Sequence, residues 1–228
     1  MTTVGIVIPC FNEAQSLPEL LQRIKKCYHS QIYFLLVDNG SQDGTSDFLK
    51  NVELPMNVST LRIENNQGYG YGIISGLKEL KTDYVGWTHA DLQTDPGDVT
   101  LFLGLINSGV DFLKGKRYGR PLTDRIFTWG MSVFVTILFK KKMSDINAQP
   151  TILRKEIFNS WKNPPYDFSL DLFAYIHAAQ NKCSVERVNV NLGRRKWGNS
   201  HWNTGLVSRY RFIKRTLSMA FGLARSTK

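Results

Sequence analysis

Residues 83–96 read DYVGWTHADLQTDP, a short apolar run that breaks after residue 88 into a polar tip holding one histidine, two aspartates and a glutamine, closed by a proline. The same form recurs on either side of it. Apolar or β-branched runs at 4–9, 32–37, 58–63 and 110–115 alternate with segments of helical spacing at 15–28, 44–52, 70–81 and 96–107. This alternation predicts an α/β fold, a doubly wound and mainly parallel sheet with helices on both faces. Ligands of such sheets sit beyond the carboxyl ends of the strands, so the loops opening at Pro9, Asp38, Asn66 and His89 are expected to converge on one crevice.

After about residue 116 the alternation fails. An apolar helix is expected at 122–142, a strand near 148–153, a helix at 168–180, a strand near 184–192 and a basic helix at 206–224. The chain of 228 residues suits one catalytic-sized domain with a basic tail. Its net charge of +10 attracts phosphates, nucleic acid or an anionic membrane, without choosing among them. Cys10, Cys27 and Cys183 are odd in number and form no CxxC pair, which argues against a disulfide framework or a zinc site. The first thirteen residues have no charged region followed by an apolar stretch and a small-residue cleavage site, so a cytoplasmic chain is expected.

Four strand tips carry the chemistry. In IVIPCFNE (6–13), Phe11 and Glu13 place a flat ring and a carboxylate where a nucleobase could stack and hydrogen-bond, although a strand running into a helix cap explains the same residues. In VDNGSQDGTS (37–46), Asp38 can accept bonds from a base or ribose, while Asp43 and Thr45 resemble the cap of the following helix. In NNQGYGYGIISG (65–76), Gly68, Gly70, Gly72 and Gly76 permit close approach to a phosphate or to the sheet. The spacing is not GxGxxG and follows the third strand, which argues against a nicotinamide cofactor. If 88–93 stays extended, His89, Asp91 and Gln93 project to one side and could meet one divalent cation bridging a diphosphate.

IVIPCFNE, VDNGSQDGT, NNQGYGYGIISG and HADLQTDP, in this order and spacing, resemble the family 2 glycosyltransferases of GT-A fold, and within them the dolichyl-phosphate mannose synthase and polyprenyl-phosphate glycosyltransferase branch. The resemblance covers about the first 117 residues, with weaker echoes to about residue 201. It implies that Pro9, Phe11, Glu13 and Asp38 contact the nucleoside, that Asn66, Gly68, His89, Ala90 and Asp91 line the nucleotide-sugar site, and that Asp91 and Gln93 hold the metal. Three positions depart from the branch's pattern: His89 replaces the first acid of Asp-Ala-Asp-Leu-Gln, Asn39 replaces an acid, and Phe11 replaces a tyrosine. As a softer ligand than carboxylate, His89 favours Mn²⁺ relative to Mg²⁺; alternatively it bonds a phosphate and not the metal.

Downstream, FLKGKRYGR (112–120) carries Lys114, Lys116 and Arg117, and Arg125 opens the next helix. The resemblance implies that Arg117 and Arg125 grip the phosphate of an acceptor lipid, while composition alone reads a solvated basic loop. GRRKWGNSH (193–201) resembles the family's R-x-x-G-x-S-K stretch, with Arg195, Gly198 and Ser200 matching and His201 in place of lysine. A loop carrying Arg195, Trp197 and His201 could close over the diphosphate. Residues 126–139 contain no charge but are too few to span a bilayer, which takes roughly 20. Thr128, Ser132 and Thr136 give this segment one polar stripe, compatible with an interfacial helix or a buried one. The basic amphipathic stretch 206–224 suits an anionic membrane surface or simple packing on the domain.

The expectation is therefore a single GT-A domain over 1–205, with a nucleotide-sugar half (1–117) and an acceptor half (118–205), followed by a basic helix within 206–228. It transfers a sugar, with inversion, from a nucleoside diphosphate sugar to a polyprenyl phosphate, using Mn²⁺ or Mg²⁺ at the cytoplasmic face of a membrane. A membrane-embedded partner subunit is compatible with this, and no nucleic acid is expected. Two rivals remain. One keeps the donor chemistry but glycosylates a saccharide or lipid hydroxyl, with Asp171 or Asp145 as general base. The other is a non-catalytic nucleotide-sugar or nucleic-acid binding module.

Overall fold

The computed structural model describes residues 1–119, 122–197, 218–219 and 221–222, with residues 122–128 and 131 described by their backbone alone. Among them the chain runs β1 (Val4–Cys10), α1 (Leu17–Lys26), β2 (Ile32–Asn39), α2 (Thr45–Asn51), β3 (Val58–Ile63), α3 (Tyr69–Glu79) and β4 (Tyr84–Trp87). A 3-10 helix (Pro96–Phe102), α4 (Leu103–Asn107), β5 (Phe112–Tyr118), α5 (Leu122–Phe139), β6 (Thr151–Arg154), α6 (Lys155–Asn159), α7 (Leu170–Gln180) and β7 (Val185–Asn191) follow. The strands form one seven-stranded sheet of order β3-β2-β1-β4-β6-β5-β7. Only β6 runs antiparallel to its neighbours β4 and β5; the other pairings are parallel.

The central strands are apolar on both faces because both faces are covered. Val4, Ile6, Ile8, Phe34 and Leu36 pack beneath Leu17, Leu20 and Ile24 of α1 and beneath Val99, Phe102 and Ile106. Val7, Leu35, Val37, Val85 and Trp87 face Ile73, Ile74 and Leu77 of α3 and the buried stretch of α7. The chain winds outward from β1 through β2 to β3 and returns to the other side of β1 as β4. That reversal is a topological switch point, and the crevice opens between the carboxyl ends of β1 and β4.

Several boundaries differ from expectation for identifiable reasons. The predicted helix at 96–107 starts as a 3-10 turn, with Asp95 accepting from the Gly97 N–H at 2.8 Å; Gly97 and Gly104 weaken α-helical propensity there. The strand expected near 148–153 begins only at Thr151, after Pro150, which cannot donate to a ladder. It is followed by α6, a short helix that the sequence reading did not anticipate. The apolar helix ends at Phe139, where Lys140 takes a positive φ of 52°. The expected helix at 206–224 lies largely outside the described residues, although 218–219 and 221–222 are helical and the Phe221 ring meets Phe134 of α5 edge-on at 5.8 Å.

Candidate active site

The loops after β1 and β2 are stitched into one unit. The Asn12 N–H donates to Ser41 Oγ at 3.0 Å, the Gln42 N–H to Asn12 Oδ1 at 2.9 Å, the Glu13 N–H to Thr45 Oγ1 at 2.9 Å and the Ala14 N–H to Asp43 Oδ2 at 3.1 Å. Asp43 and Thr45 thus tie the two strand tips together; Asp43 Oδ1 also accepts from the N–H of Thr45, the first residue of α2, at 3.1 Å, but the N-cap of that helix is Gly44 and not either of them. Pro9 and Phe11 flank this unit on β1 and its tip, both partly buried. Glu13 is turned inward, its carboxylate accepting from Ser16 Oγ at 2.7 Å. Burial raises the pKa of Glu13, opposed by that hydrogen bond and by the Arg195 charge.

Asp38 is enclosed. Its Oδ1 accepts from the Ser41 N–H at 3.0 Å and its Oδ2 from Arg62, the residue opposite it in the β2–β3 register. Burial pushes its pKa up, but hydrogen bonds from Ser41, Ser46 and Arg62 together outweigh this and hold it below the usual carboxylate value. Asp38 is therefore a fixed anion that braces the turn after β2. No motif in the sequence marks Arg62; once the strands are paired in parallel, the register alone finds it.

The glycines after β3 serve packing. A Cβ on Gly68 would lie 2.4 Å from the Tyr166 carbonyl oxygen and one on Gly70 2.5 Å from that of Pro165, so segment 165–167 lies directly on the start of α3. Gly76 admits Val7 and Val37 of the sheet. Of the two expected uses, approach to the sheet accounts for Gly76, and contact with the acceptor half accounts for Gly68 and Gly70. Asn66 Oδ1 accepts from the Gly68 N–H at 2.8 Å, and Asn39 Nδ2 donates to the Gly68 carbonyl at 3.0 Å.

The tip of β4 departs from the extended geometry on which a shared face for His89, Asp91 and Gln93 depended. The strand ends at Trp87 and Leu92 turns to a positive φ of 59°, so alternate residues no longer project together. His89, next to the buried Ala90, lies with its ring centroid 5.9 Å from that of Tyr69, which in turn stacks on Phe168 at 4.6 Å. Gln93 braces the segment beginning at Gly193: the Gly193 N–H donates to the Gln93 carbonyl at 2.7 Å, and Gln93 Nε2 donates weakly to the Gly193 carbonyl at 3.4 Å. Asp91 is 5 % exposed; its Oδ1 accepts from the Gln93 N–H at 3.1 Å and its Oδ2 from Arg195 Nη2 at 2.9 Å. Among the described residues no group of three or more His, Cys, Asp or Glu side chains is gathered to hold a metal. Asp91 nevertheless fits a divalent cation. It is the carboxylate at the switch point, it is already paired with a positive charge, and its own charge reaches Glu13 across the crevice.

In the acceptor half two expected rivals turn out to be partners. Asp145 Oδ1 accepts from Arg117 Nε at 2.9 Å and from Nη2, while its Oδ2 accepts from the Arg117 N–H at 2.9 Å. Asp171, at the start of α7, lies in a buried polar knot. Its Oδ1 accepts from Gln149 Nε2 at 2.7 Å and from Lys114 Nζ at 3.3 Å, and Lys114 also donates to Thr151 Oγ1 at 2.6 Å. Lys114 is completely buried, which lowers its pKa to about 8 against the opposing pull of Asp171. The basic residues of β5 therefore divide: Lys114 points into the core, whereas Lys116 is exposed. The Arg125 side chain and residues 198–201, including His201, lie outside the described residues.

The sequence model of glycosyl transferase family 2 matches residues 5–182. An undecaprenyl-phosphate 4-deoxy-4-formamido-L-arabinose transferase of Pseudomonas savastanoi pv. phaseolicola is 35% identical over 122 residues, 51% of this chain and 36% of that protein. A transferase of the same name from Salmonella paratyphi B is 26% identical over 166 residues, 69% of this chain. The chain thus spans half or less of the length of these relatives. Among solved structures, Mycobacterium tuberculosis glucosyl-3-phosphoglycerate synthase with Mn²⁺, UDP and glucosyl-3-phosphoglycerate superposes with a TM-score of 0.75 at 15% identity, over 97% of this chain and 80% of that one. The same enzyme with Mg²⁺ and UDP gives 0.71 at 16% identity, again over 97% and 80%. At this identity the likeness shows the fold, and it agrees with the GT-A expectation.

Proposed function

The chain belongs to glycosyl transferase family 2, and on that footing we propose that it moves a sugar from a nucleoside diphosphate sugar to the phosphate of a polyprenyl phosphate, with inversion. The observation that carries the choice of acceptor is the commitment of both candidate bases. Asp145 is occupied by Arg117, and Asp171 by Gln149 and Lys114 inside the protein. A hydroxyl acceptor would gain about 10² to 10⁴-fold from a positioned base. A phosphate monoester, with a second pKa of about 6, is already a mostly dianionic nucleophile near neutrality. The names of the relatives support this reading, as do the nucleotide and metals bound by the structural neighbours.

In this reading a phosphate oxygen of the lipid attacks the anomeric carbon from the face opposite the nucleotide. The bond from that carbon to the diphosphate oxygen breaks, and the nucleoside diphosphate leaves. No proton is transferred to the protein. Pro9, Phe11 and Glu13 receive the nucleoside, with Asp38 bracing the turn beside them through Ser41 and Arg62, and Asn66, Gly68, His89 and Ala90 border the sugar diphosphate. Asp91, with Gln93 or His89 as further candidates, would hold a divalent cation, which when bound would neutralise diphosphate charge. Arg117, Arg125 and Arg195 anchor the phosphates, since guanidinium forks suit their oxygens.

We further propose that 1–205 acts as one domain and that the chain works at the cytoplasmic face of an anionic membrane, with room for a membrane-embedded partner. Trp129, Val133 and Ile137 are exposed at four-residue spacing along α5, next to the exposed Lys140, Lys141 and Lys142. Nucleic acid is not assigned as a partner.

The test is transfer itself: undecaprenyl phosphate in anionic vesicles, Mn²⁺, and a panel of UDP- and GDP-sugars, with lipid products read by mass spectrometry. One sugar phospholipid is expected. Arg117→Ala should lower its formation about hundredfold while sparing donor binding, and Asp171→Asn should stay within about tenfold, below the usual general-base effect. Transfer to a hydroxyl acceptor that disappears in folded Asp171→Asn would promote the rival enzyme, and nucleotide-sugar binding with no transfer would promote the binding module.

A further inference from the structure

The segment following β7 crosses the crevice as a strap with three attachments. Gly193 is hydrogen-bonded to the Gln93 backbone at 2.7 Å, Arg195 pairs with Asp91 at 2.9 Å, and Lys196 Nζ reaches Glu19 Oε1 on α1 at 2.8 Å. The middle attachment differs from the other two. It places a cation on the carboxylate that the donor site offers to a metal. Arg195 addresses Asp91 Oδ2 through both Nη2 and Nε, the latter at 3.3 Å, and its side chain is 25 % exposed against 8 % for that of Asp91. The anion is enclosed and fixed, while the cation approaches from the solvent side.

We propose that Arg195 is the resident cation of the donor site, competing with the divalent metal for Asp91 until the metal and diphosphate arrive together. The inference rests on the reading of Asp91 as the metal carboxylate. A guanidinium and a divalent cation on one carboxylate repel each other at close range, so loading the metal weakens the Arg195–Asp91 pair and favours release of the guanidinium. The attachments at Gly193 and Lys196 limit that movement to the neighbourhood of the site. The nearest incoming anion is the diphosphate, whose oxygens fit a guanidinium fork. Arg195 therefore exchanges Asp91 for phosphate, and the strap tightens only when metal and nucleotide are both present. Metal alone gains no such compensation, so the empty enzyme holds it weakly. Arg195 is in this sense a positioning residue whose first partner is an acid of the protein and whose second is the substrate.

The consequence is a pair of effects of opposite sign in one variant. In Arg195→Ala, Mn²⁺ alone, followed through the electron paramagnetic resonance signal of the free ion, should bind about tenfold more tightly, the scale of one lost charge-assisted pair. UDP added at saturating Mn²⁺ should bind about tenfold more weakly to the same protein. Arg195→Lys should fall between native and alanine in both. Damage to the fold would weaken both ligands, so tightening of Mn²⁺ is the diagnostic readout. Unchanged or weaker Mn²⁺ binding in Arg195→Ala, with binding abolished in Asp91→Asn, overturns the inference alone. Native Mn²⁺ affinity in Asp91→Asn overturns the metal assignment and the inference with it.

Discussion

Two acid–cation pairs, about eighty residues apart in the position of their acids, show what setting does to the same chemistry. Asp91 and Arg195 meet at the rim of the crevice, the acid enclosed and the cation partly in solvent. Asp171 and Lys114 meet in the interior, with side chains 5 % and 0 % exposed and with Gln149 and Thr151 completing the network. A rim pair is weakened by solvent and is exchangeable for a ligand. In the interior, loss of one partner strands the other's charge in a poor dielectric, so that pair behaves as a fixture. In the proposed function Asp91 is accordingly the acid expected to open to a metal, and Asp171 the one expected to stay closed to an acceptor hydroxyl.

The largest effect should come from breaking the interior pair. Lys114→Met leaves Asp171 without its cation and is expected to reduce stability by roughly 3–5 kcal/mol in denaturant unfolding. The pH dependence gives the sign independently. Lys114 titrates near 8 in the folded chain and near its ordinary 10.5 when unfolded, so between these values only the unfolded state retains the proton. Stability contributed through this lysine therefore rises with pH across that window, and the gap between native protein and Lys114→Met should widen from pH 8 to 10.5. A constant gap would mean that the lysine is not held in the interior as a strained cation.

A smaller effect sharpens the comparison within a single helix, because α5 belongs to both settings. Val135 and Ser132 are buried, and Thr136 Oγ1 accepts from the Met143 N–H at 3.1 Å and donates to the Met143 carbonyl at 3.2 Å, so Ser132 and Thr136 of the polar stripe face the protein. Trp129 and Ile137 are 67 % and 72 % exposed. The chain should co-sediment with anionic vesicles at low salt and be released as salt rises, each surface lysine contributing only ~1 kcal/mol. Trp129→Ser should weaken this binding severalfold, and absence of binding at low salt would assign the face to another contact.

The legible part of this protein was whatever one strand tip can state by itself. The run of apolar strands and helices and the two-sided cover of the sheet follow from local periodicity. The less legible part depends on which distant residues meet. Asp171 reads as a candidate base because its helix position is visible, whereas Lys114 reads as one more member of a basic loop until β5 and β6 bring it to Thr151 and Gln149. Gly68 and Gly70 read as room for a phosphate or for the sheet, and the close approach of segment 165–167 to them is not legible because it is almost a hundred residues away. The extended geometry that would align His89, Asp91 and Gln93 ends with β4 at Trp87, and the bend that replaces it, with Leu92 at positive φ, is announced by no periodicity.

The proposed function requires that the rim acid serve the donor and that the interior acid not do so. Calorimetry of UDP and GDP binding, with and without Mn²⁺, to the native chain, Asp91→Asn and Asp171→Asn tests it most directly. Metal-dependent affinity for one nucleotide is expected to vanish in Asp91→Asn and to persist in folded Asp171→Asn. Metal-dependent binding that survives in Asp91→Asn and is lost in folded Asp171→Asn would contradict it.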